Sequence, residues 1–349
     1  VKKPLNRRAF LLSATTTTLA ACRLDGRPRL NVFNWSSYID PKSIEKFSRE
    51  FGVRVRYAVY ESNEEMLAKV MTGNSGWDVV FPTHSRIPPM ARRGLIAPLD
   101  HRRLPNLQQL SAAFQQPVWD AQLQWGVPYM WNGTGIAYSQ ALEPPPRAWA
   151  DLWSDRLRGR LTMLDDPEDV IGACLLKAGY AFGSEDREAL NKARAEAIAE
   201  KRYIRAYLNA EVRDQLVAGD VLAAQMWSTT AKQALDAQQA SRPLAFVYPA
   251  EGFPLYCDNA VILAESKRRE LAHQFLDFLL RPEIAAANAT VGETATCNEG
   301  GRMLLPAGER DSEVLYGTPE ILKRGTWPVA PPPEAQRFRD RIWTEIKSA

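Results

Sequence analysis

The chain has 349 residues, with 44 lysines and arginines against 41 aspartates and glutamates, a formal net charge of +3. Residues 1–21 hold four of those cations and no acid, so the rest of the chain carries −1. That leaves no polycationic surface to argue for nucleic acid, and no later apolar run long enough to span a bilayer.

The N-terminal stretch VKKPLNRRAFLLSATTTTLAAC is expected to be an export signal over residues 1–21: a positive start, a short apolar stretch and a small-residue processing site. Four threonines dilute its apolar part, which argues against a membrane-spanning helix. Arg7-Arg8 before Phe10-Leu11 resembles a twin-arginine signal, and Leu19-Ala20-Ala21-Cys22 resembles a lipobox that would place a lipid on Cys22. Ordinary cleavage near Ala21 is the alternative. The remaining chain, about 320 residues, suits two domains better than one. Its other cysteines are Cys174, Cys257 and Cys297. Their spacing fits no zinc motif, and an odd count allows one bridge at most among them.

RLNVFNW reads as a buried strand, and Pro41 starts a helix with Ile44, Phe47 and Phe51 at helical spacing before Gly52. VRVRYAVY alternates as a half-buried strand. Ser62 followed by Glu65 is a capping-box pattern ahead of an apolar stripe of Met66, Leu67, Val70 and Met71. WDVVFP is a further buried strand. Strand and helix in alternation predict an α/β fold whose binding crevice lies beyond the carboxyl ends of the strands, which puts Trp35 to Tyr38 and Thr83 to Arg86 on one rim.

WGVPYMWNGTGIAYS then reads as two short strands across a glycine-bearing joint, a crossing into a second domain. A proline-led loop, a helix beginning near LDDPEDV, an alanine-rich helical region from about 185 to 201 and the strand VLAAQMW follow. PLAFVYPAEGFPLYCDNAVIL is strand, turn and strand, a route back to the first domain. RELAHQFLDFLLRPEIAAA reads as one helix with Leu271, Phe275, Phe278 and Leu279 inward. Two crossings between two α/β lobes make a hinged cleft. The expected division is 29–131 plus about 259–315 for lobe 1, and 132–258 plus about 316–349 for lobe 2.

VFNWSSYI, YESNEEMLAKVMTG, WDVVFPT, GVPYMWNGTGIAYS, LDDPEDV, LDFLLRPEIA and RDRIWTEIKS, in this order, resemble the periplasmic solute-binding proteins of spermidine and putrescine ABC importers, members of extracellular solute-binding protein family 1. The similarity spans nearly the whole chain after the signal. It implies a two-lobed type II periplasmic binding fold with a hinge and an interlobe cleft. A polyamine would be captured there without covalent chemistry or cofactor, by a monomer that delivers it to a membrane permease.

The resemblance also implies a site. Trp35 and Tyr38 match aromatic positions of the first loop and Ser36 its hydroxyl; Thr83 and Ser85 fall on the same rim. Trp227 matches a tryptophan of the second lobe, and Tyr256 and Asp258 match an aromatic residue and the principal ammonium-binding acid. Asp169 and Asp166 take the places of two further acids. The chemistry is coherent: a ring face attracts a cation, and a buried ammonium needs a charge partner. Each residue also has a plainer role. Trp35 could be a core aromatic, Asp166 and Asp169 could only cap a helix, and Asp258 could be a turn residue.

Departures from the pattern favour a shorter ligand with fewer ammonium groups, putrescine-like more than spermidine. Ser37 stands where relatives carry an acid, Ser85 where spermidine-type relatives have tyrosine, Pro328 near the place of a late glutamine, and Tyr256 where tryptophan or phenylalanine is usual. If Arg86 faces the cleft, it could admit a ligand carboxylate, so another small amine or an amino-acid-like cation is an alternative ligand. A sensor docking on a membrane receptor is an alternative role. An enzyme is not expected: there is no G-x-S-x-G, H-E-x-x-H or P-loop, and His84, His101 and His273 are scattered, suited to surface or helix roles. Stacked rings with carboxylates argue against an anion receptor, and no Tyr/His group suggests a metal.

Overall fold

The structure is a computed structural model that describes residues 26–349, so the export-signal reading and Cys22 lie outside the described residues. The first lobe begins with β1 (Arg29–Trp35), buried along most of its length, which pairs in parallel with β2 (Arg54–Tyr60) and with β3 (Val79–Val80). Between β1 and β2 lies the helix Pro41–Glu50, started by Asp40, whose side chain accepts from the Lys42 N–H, and by Pro41 in its first turn. Phe47 on that helix packs edge-on against Phe275 and Phe278. Ser62 caps the helix Asn63–Met71 by accepting from the Glu65 N–H at 3.1 Å, while the Glu65 carboxylate accepts from Glu61 N–H. That is one residue earlier than a strict capping box requires.

The remaining longer strands are β4 (Gly126–Ser139), β5 (Leu161–Met163), β6 (Ile204–Tyr207), β7 (Ala223–Trp227), β8 (Leu244–Val247) and β9 (Phe253–Ile262), joined by two-residue strands at Ala295–Thr296 on β4 and Gly325–Thr326 on β9. They run in the order β2-β1-β3-β9-β4-β7-β5-β6, with β8 also on β4. β4 is one continuous 14-residue strand, not the two short strands expected from the glycines in its middle. Its first part, Gly126 to Gly133, pairs antiparallel with β9; its second, Thr134 to Ser139, pairs with β7 and β8. The glycines serve close approach instead of a break. A Cβ on Gly135 would stand 2.4 Å from the Phe246 ring and 2.6 Å from the Val247 carbonyl, and one on Gly133 would stand 2.9 Å from Tyr248.

β4 therefore changes sheets midway, and β9 runs beside it from Phe253 to the β3 pairing at Val261 and Ile262. Two antiparallel strands thus join the two lobes. The C-terminal helix Pro333–Ser348 packs Ile342 and Ile346 on Ile171, Cys174 and Leu175 of the second lobe.

The single helix expected over RELAHQFLDFLLRPEIAAA is two, Arg269–Leu279 and Pro282–Gly292. Proline lacks the N–H that would continue the ladder and disfavours helix in the residue before it, so Pro282 ends one helix and opens the next. Among the described residues no helix is long and apolar enough to cross a membrane. Cys174, Cys257 and Cys297 are free, buried thiols, with the Cys257 and Cys297 sulfurs 3.6 Å apart. His84 corrects the expectation of a surface role. It is 1% exposed, its Nε2 bonded to the Pro328 carbonyl at 2.8 Å and its Nδ1 accepting from the Cys257 N–H at 3.3 Å. Burial pulls its pKa down to about 4.

Candidate functional site

Lobe 1 contributes a carboxylate held by hydroxyls. Asp258 lies inside β9, opposite Met130 of β4, and so is not a turn residue. The register shifts beside it, between Pro128 opposite Asn259 and Met130 opposite Asp258, and its backbone also bridges to Thr83. Thr83 Oγ1 donates to Asp258 Oδ1 at 2.8 Å and Tyr38 Oη donates to Oδ2 at 3.0 Å. Thr83 is itself fixed by Asn63, whose side chain donates to Thr83 Oγ1 and accepts from the Thr83 N–H. Burial raises the Asp258 pKa to about 6, against the lowering effect of the two hydroxyl donors. The phenol of Tyr38 is held well above its ordinary range by burial and by the Asp258 charge, so it remains a donor.

β1 ends at Trp35, which is half-buried: its indole N–H donates to the Phe81 carbonyl at 2.8 Å and its ring lies 4.7 Å from that of Tyr60. It is neither a pure core aromatic nor a free one. The chain then turns through Ser37 at φ +54°, a left-handed conformation, which brings Tyr38 back toward Asp258. Ser36 Oγ donates to Glu61, an acid that sequence reasoning did not single out. The loop that lacks an acid at Ser37 thus gains one from the end of β2. Ser85 is buried on the short helical turn His84–Arg86 that follows Thr83.

Lobe 2 contributes acids at one helix start. Asp166 caps the helix Pro167–Lys177, accepting from the N–H groups of Glu168 at 2.7 Å and Asp169 at 3.1 Å. Asp169, 1% exposed, accepts from the Trp227 indole N–H at 3.3 Å through Oδ2, and its backbone carbonyl accepts from Gln225. Capping thus explains Asp166 and leaves Asp169 with a different neighbourhood. The hydroxyls of Thr134 and Tyr256 lie close enough to act on Asp169, yet complete no hydrogen bond with it; Asp169 Oδ1, Thr134 Oγ1 and Tyr256 Oη are buried without a partner.

Electrostatically these acids form one group. Burial, then the charge of Asp166, push Asp169 well above the ordinary carboxylate range. Burial likewise raises Asp166, and raises Glu168 to about 7 with help from Asp166. Glu168 was missed from the sequence, although three acids in LDDPEDV beyond the first aspartate were a visible signal. Tyr256 on β9 feels Asp169, Glu168 and Asp166, and its ring centre lies 6.2 Å from that of His84. It therefore connects the acids of lobe 2 with the loop of lobe 1. Arg86 of lobe 1 and Arg339 of the C-terminal helix both act on Glu168.

Buried carboxylates beside aromatic rings and unpartnered hydroxyls can hold an organic cation, through charge at its ends and ring faces along its length. Among the described residues no group of three or more His, Cys, Asp or Glu side chains is arranged to hold a metal ion.

A profile for bacterial extracellular solute-binding proteins matches residues 42–301. The spermidine/putrescine-binding periplasmic protein of Escherichia coli (strain K12) is 30% identical, over 93% of this chain and 93% of its own length. The putrescine/cadaverine-binding protein of Pseudomonas aeruginosa is 28% identical, over 97% of this chain and 98% of its own. Among solved structures, the spermidine/putrescine ABC transporter substrate-binding protein of Streptococcus pneumoniae aligns with a TM-score of 0.83 at 26% identity, covering 92% of this chain and 99% of that one.

Proposed function

The chain belongs to the bacterial extracellular solute-binding proteins, which bind and do not catalyse, and from that premise we propose that it captures a small polyamine, putrescine-like more than spermidine, between its lobes for an ABC importer. One ammonium group pairs with Asp258 under the hydroxyls of Tyr38 and Thr83; the other pairs with Asp169. The aliphatic part lies against Trp35, Trp227 and Tyr256, with Ser36, Ser85 and Asp166 around it. The observation that carries this reading is the set of buried, unpartnered atoms around Asp169: a carboxylate oxygen and two hydroxyls, which an ammonium with three N–H donors would satisfy.

Closure pivots on β4 and β9. We take residues 29–131 with about 259–315 as lobe 1 and residues 132–258 with about 316–349 as lobe 2, except that Asp258, at the boundary itself, is counted with lobe 1 because it pairs with Met130 and bridges to Thr83; support for the division comes from β4 changing partners after Gly133. The names of the relatives support a periplasmic location and a permease as partner. Export by the twin-arginine route, a lipid on Cys22 and a monomeric state complete the proposal. Mass spectrometry of the N-terminal peptide of the mature protein tests the lipid: an unmodified Cys22 removes it.

Calorimetry on the mature protein with putrescine, cadaverine and spermidine tests the ligand class. Heat and a thermal shift with putrescine, weaker with spermidine, are expected; no response to any of the three rejects the polyamine reading. A second reading, an amino-acid-like cation with one carboxylate, is favoured by a single observation, the buried Nε of Arg86, which has no partner and which a carboxylate would satisfy. The same titration with an ω-amino acid decides it.

A further inference from the structure

β3 pairs with β9 at Val261 and Ile262 and ends at Val80, so the part of β9 around Asp258 needs other partners along that edge. Asn259 donates its N–H to the Pro82 carbonyl at 2.9 Å, and Asp258 bridges to Thr83. At Cys257, which is fully buried, side chains take over from the strand. The Cys257 N–H donates to His84 Nδ1 at 3.3 Å, and its carbonyl accepts from the Asn259 side-chain amide at 2.9 Å. Asn259 Oδ1 in turn accepts from the Trp119 indole N–H at 3.2 Å. The residue on which Asp258 is mounted is therefore held by an imidazole and an amide, and their placement decides where the carboxylate points.

The proton on this imidazole is located by its partners. A backbone N–H only donates, so Nδ1 carries a lone pair and the proton sits on Nε2, which donates to the Pro328 carbonyl at 2.8 Å. Pro328 falls in the part of the chain counted with lobe 2, just past the short strand Gly325–Thr326 that pairs with Phe253 and Pro254 of β9. Beside it, the Trp327 ring meets His84 edge-on at 5.4 Å and lies 5.1 Å from Trp119, whose own ring is 4.7 Å from His84. Two tryptophans thus fix the plane of the imidazole, and Pro328 fixes its outer nitrogen. Thr83, the residue before His84, donates its hydroxyl to Asp258 Oδ1, so one turn holds both the carboxylate and the backbone behind it. Resting on the polyamine reading above, we infer that His84 is a positioning residue for the ligand: it touches no part of the amine, and sets the direction of Asp258 by holding the Cys257 N–H from a ring that is itself anchored on Pro328. A binding group is only as well placed as the groups that support it.

The test is calorimetry with putrescine on the full mature protein and on His84→Phe and His84→Asn variants, each first shown to unfold cooperatively. His84→Phe keeps a ring between the tryptophans and removes both hydrogen bonds; it should weaken putrescine by about tenfold, the scale of one buried N–H left without an acceptor. His84→Asn puts a carbonyl oxygen about where Nδ1 stands and should bring the loss back to within about threefold of wild type. Because the histidine acts through Asp258, adding His84→Phe to Asp258→Asn should cost no more than about twofold, whereas adding it to Asp169→Asn should keep the full loss of about tenfold. A histidine that only supports the fold would cost the same in both backgrounds; that result, or an asparagine variant no better than phenylalanine, overturns the inference and leaves the polyamine reading intact. Should the phenylalanine variant not fold, nitrogen-15 NMR of His84 in the wild-type protein decides. A neutral ring with its proton on Nε2 and a Cys257 amide slow to exchange are expected, and a proton on Nδ1 overturns the inference. Wild-type protein that binds no amine overturns both readings.

Discussion

The two lobes present carboxylates in opposite states of completion. In lobe 1, Asp258 has a hydroxyl donor on each oxygen, and burial lifts its pKa only to about 6, so it is charged at neutral pH. In lobe 2, three acids crowd one helix start; Asp169 has one donor at 3.3 Å and an unpartnered oxygen, and burial with mutual repulsion pushes its pKa well above the ordinary carboxylate range. In the proposed site one half is finished before a ligand arrives, and the other would be completed by it. A hinged protein would gain from this asymmetry, because a cation seated on the ready carboxylate would supply what the second lobe needs in order to close.

The comparison breaks first under charge removal. Asp258→Asn strands an ammonium beside a neutral amide, and a loss of about 2–5 kcal/mol, at least about 30-fold in Kd, is expected. Asp169→Asn should cost less, about 1–2 kcal/mol, because a carboxyl whose pKa is pushed well above the ordinary range contributes less net binding. Calorimetry on the two variants with putrescine checks the order. Equal losses, or a larger one at Asp169, would mean that the lobe 2 acid is already ionised in the free protein.

The next effect is pH. Below about 6 Asp258 takes up a proton, so diamine affinity should fall by about tenfold per unit there. From pH 6 to 8 affinity should rise, since binding displaces protons from the lobe 2 acids, of which Glu168 titrates near 7. Titrations in buffers of different ionisation enthalpy would register that release as a net proton count. Stability of the free protein runs the other way. Acids whose folded pKa is raised keep more protons folded than unfolded, so their contribution is fully present below the unfolded value and is lost as pH rises through the folded one. His84, held neutral with a value near 4, opposes this below pH 6.5. The difference in thermal stability between wild type and Asp258→Asn as pH is varied therefore isolates the acid.

Local pattern carried most of the fold. Apolar runs located the strands, Asp40-Pro41 and Ser62 located helix starts, and the spaced motifs gave the two-lobed architecture through resemblance. What the pattern hid was long-range. Gly133 and Gly135 look like a break but are required by the approach of β8 and its neighbour Tyr248, a contact with residues more than a hundred positions away. Pro282 was visible, yet an apolar period continuing through it masked the split between two helices. In the site, Tyr38 and Asp258 meet across 220 positions, and which face Asp258 presents depends on the shifted register between Pro128 and Met130. No period in one sequence encodes that shift. Glu61 and Arg339 went unnoticed for the same reason, since their neighbours come from other elements.

The smallest expected effect is the most discriminating between the two halves. Tyr38→Phe removes the donor to Asp258 Oδ2 and keeps the ring, so the Thr83 bond and the aromatic packing near Tyr129 remain. One hydroxyl donor to a charged acceptor is worth about 1–2 kcal/mol, so putrescine should weaken by about 5- to 30-fold at pH 7.5. Because that bond lowers the Asp258 pKa, its loss should also move the acid limb of the affinity profile to higher pH. A ring that only lined the cleft would weaken binding equally at every pH. A parallel shift of the whole profile, with its midpoint unmoved, would therefore show that Tyr38 does not prepare the lobe 1 carboxylate and that the asymmetry between the lobes has another source.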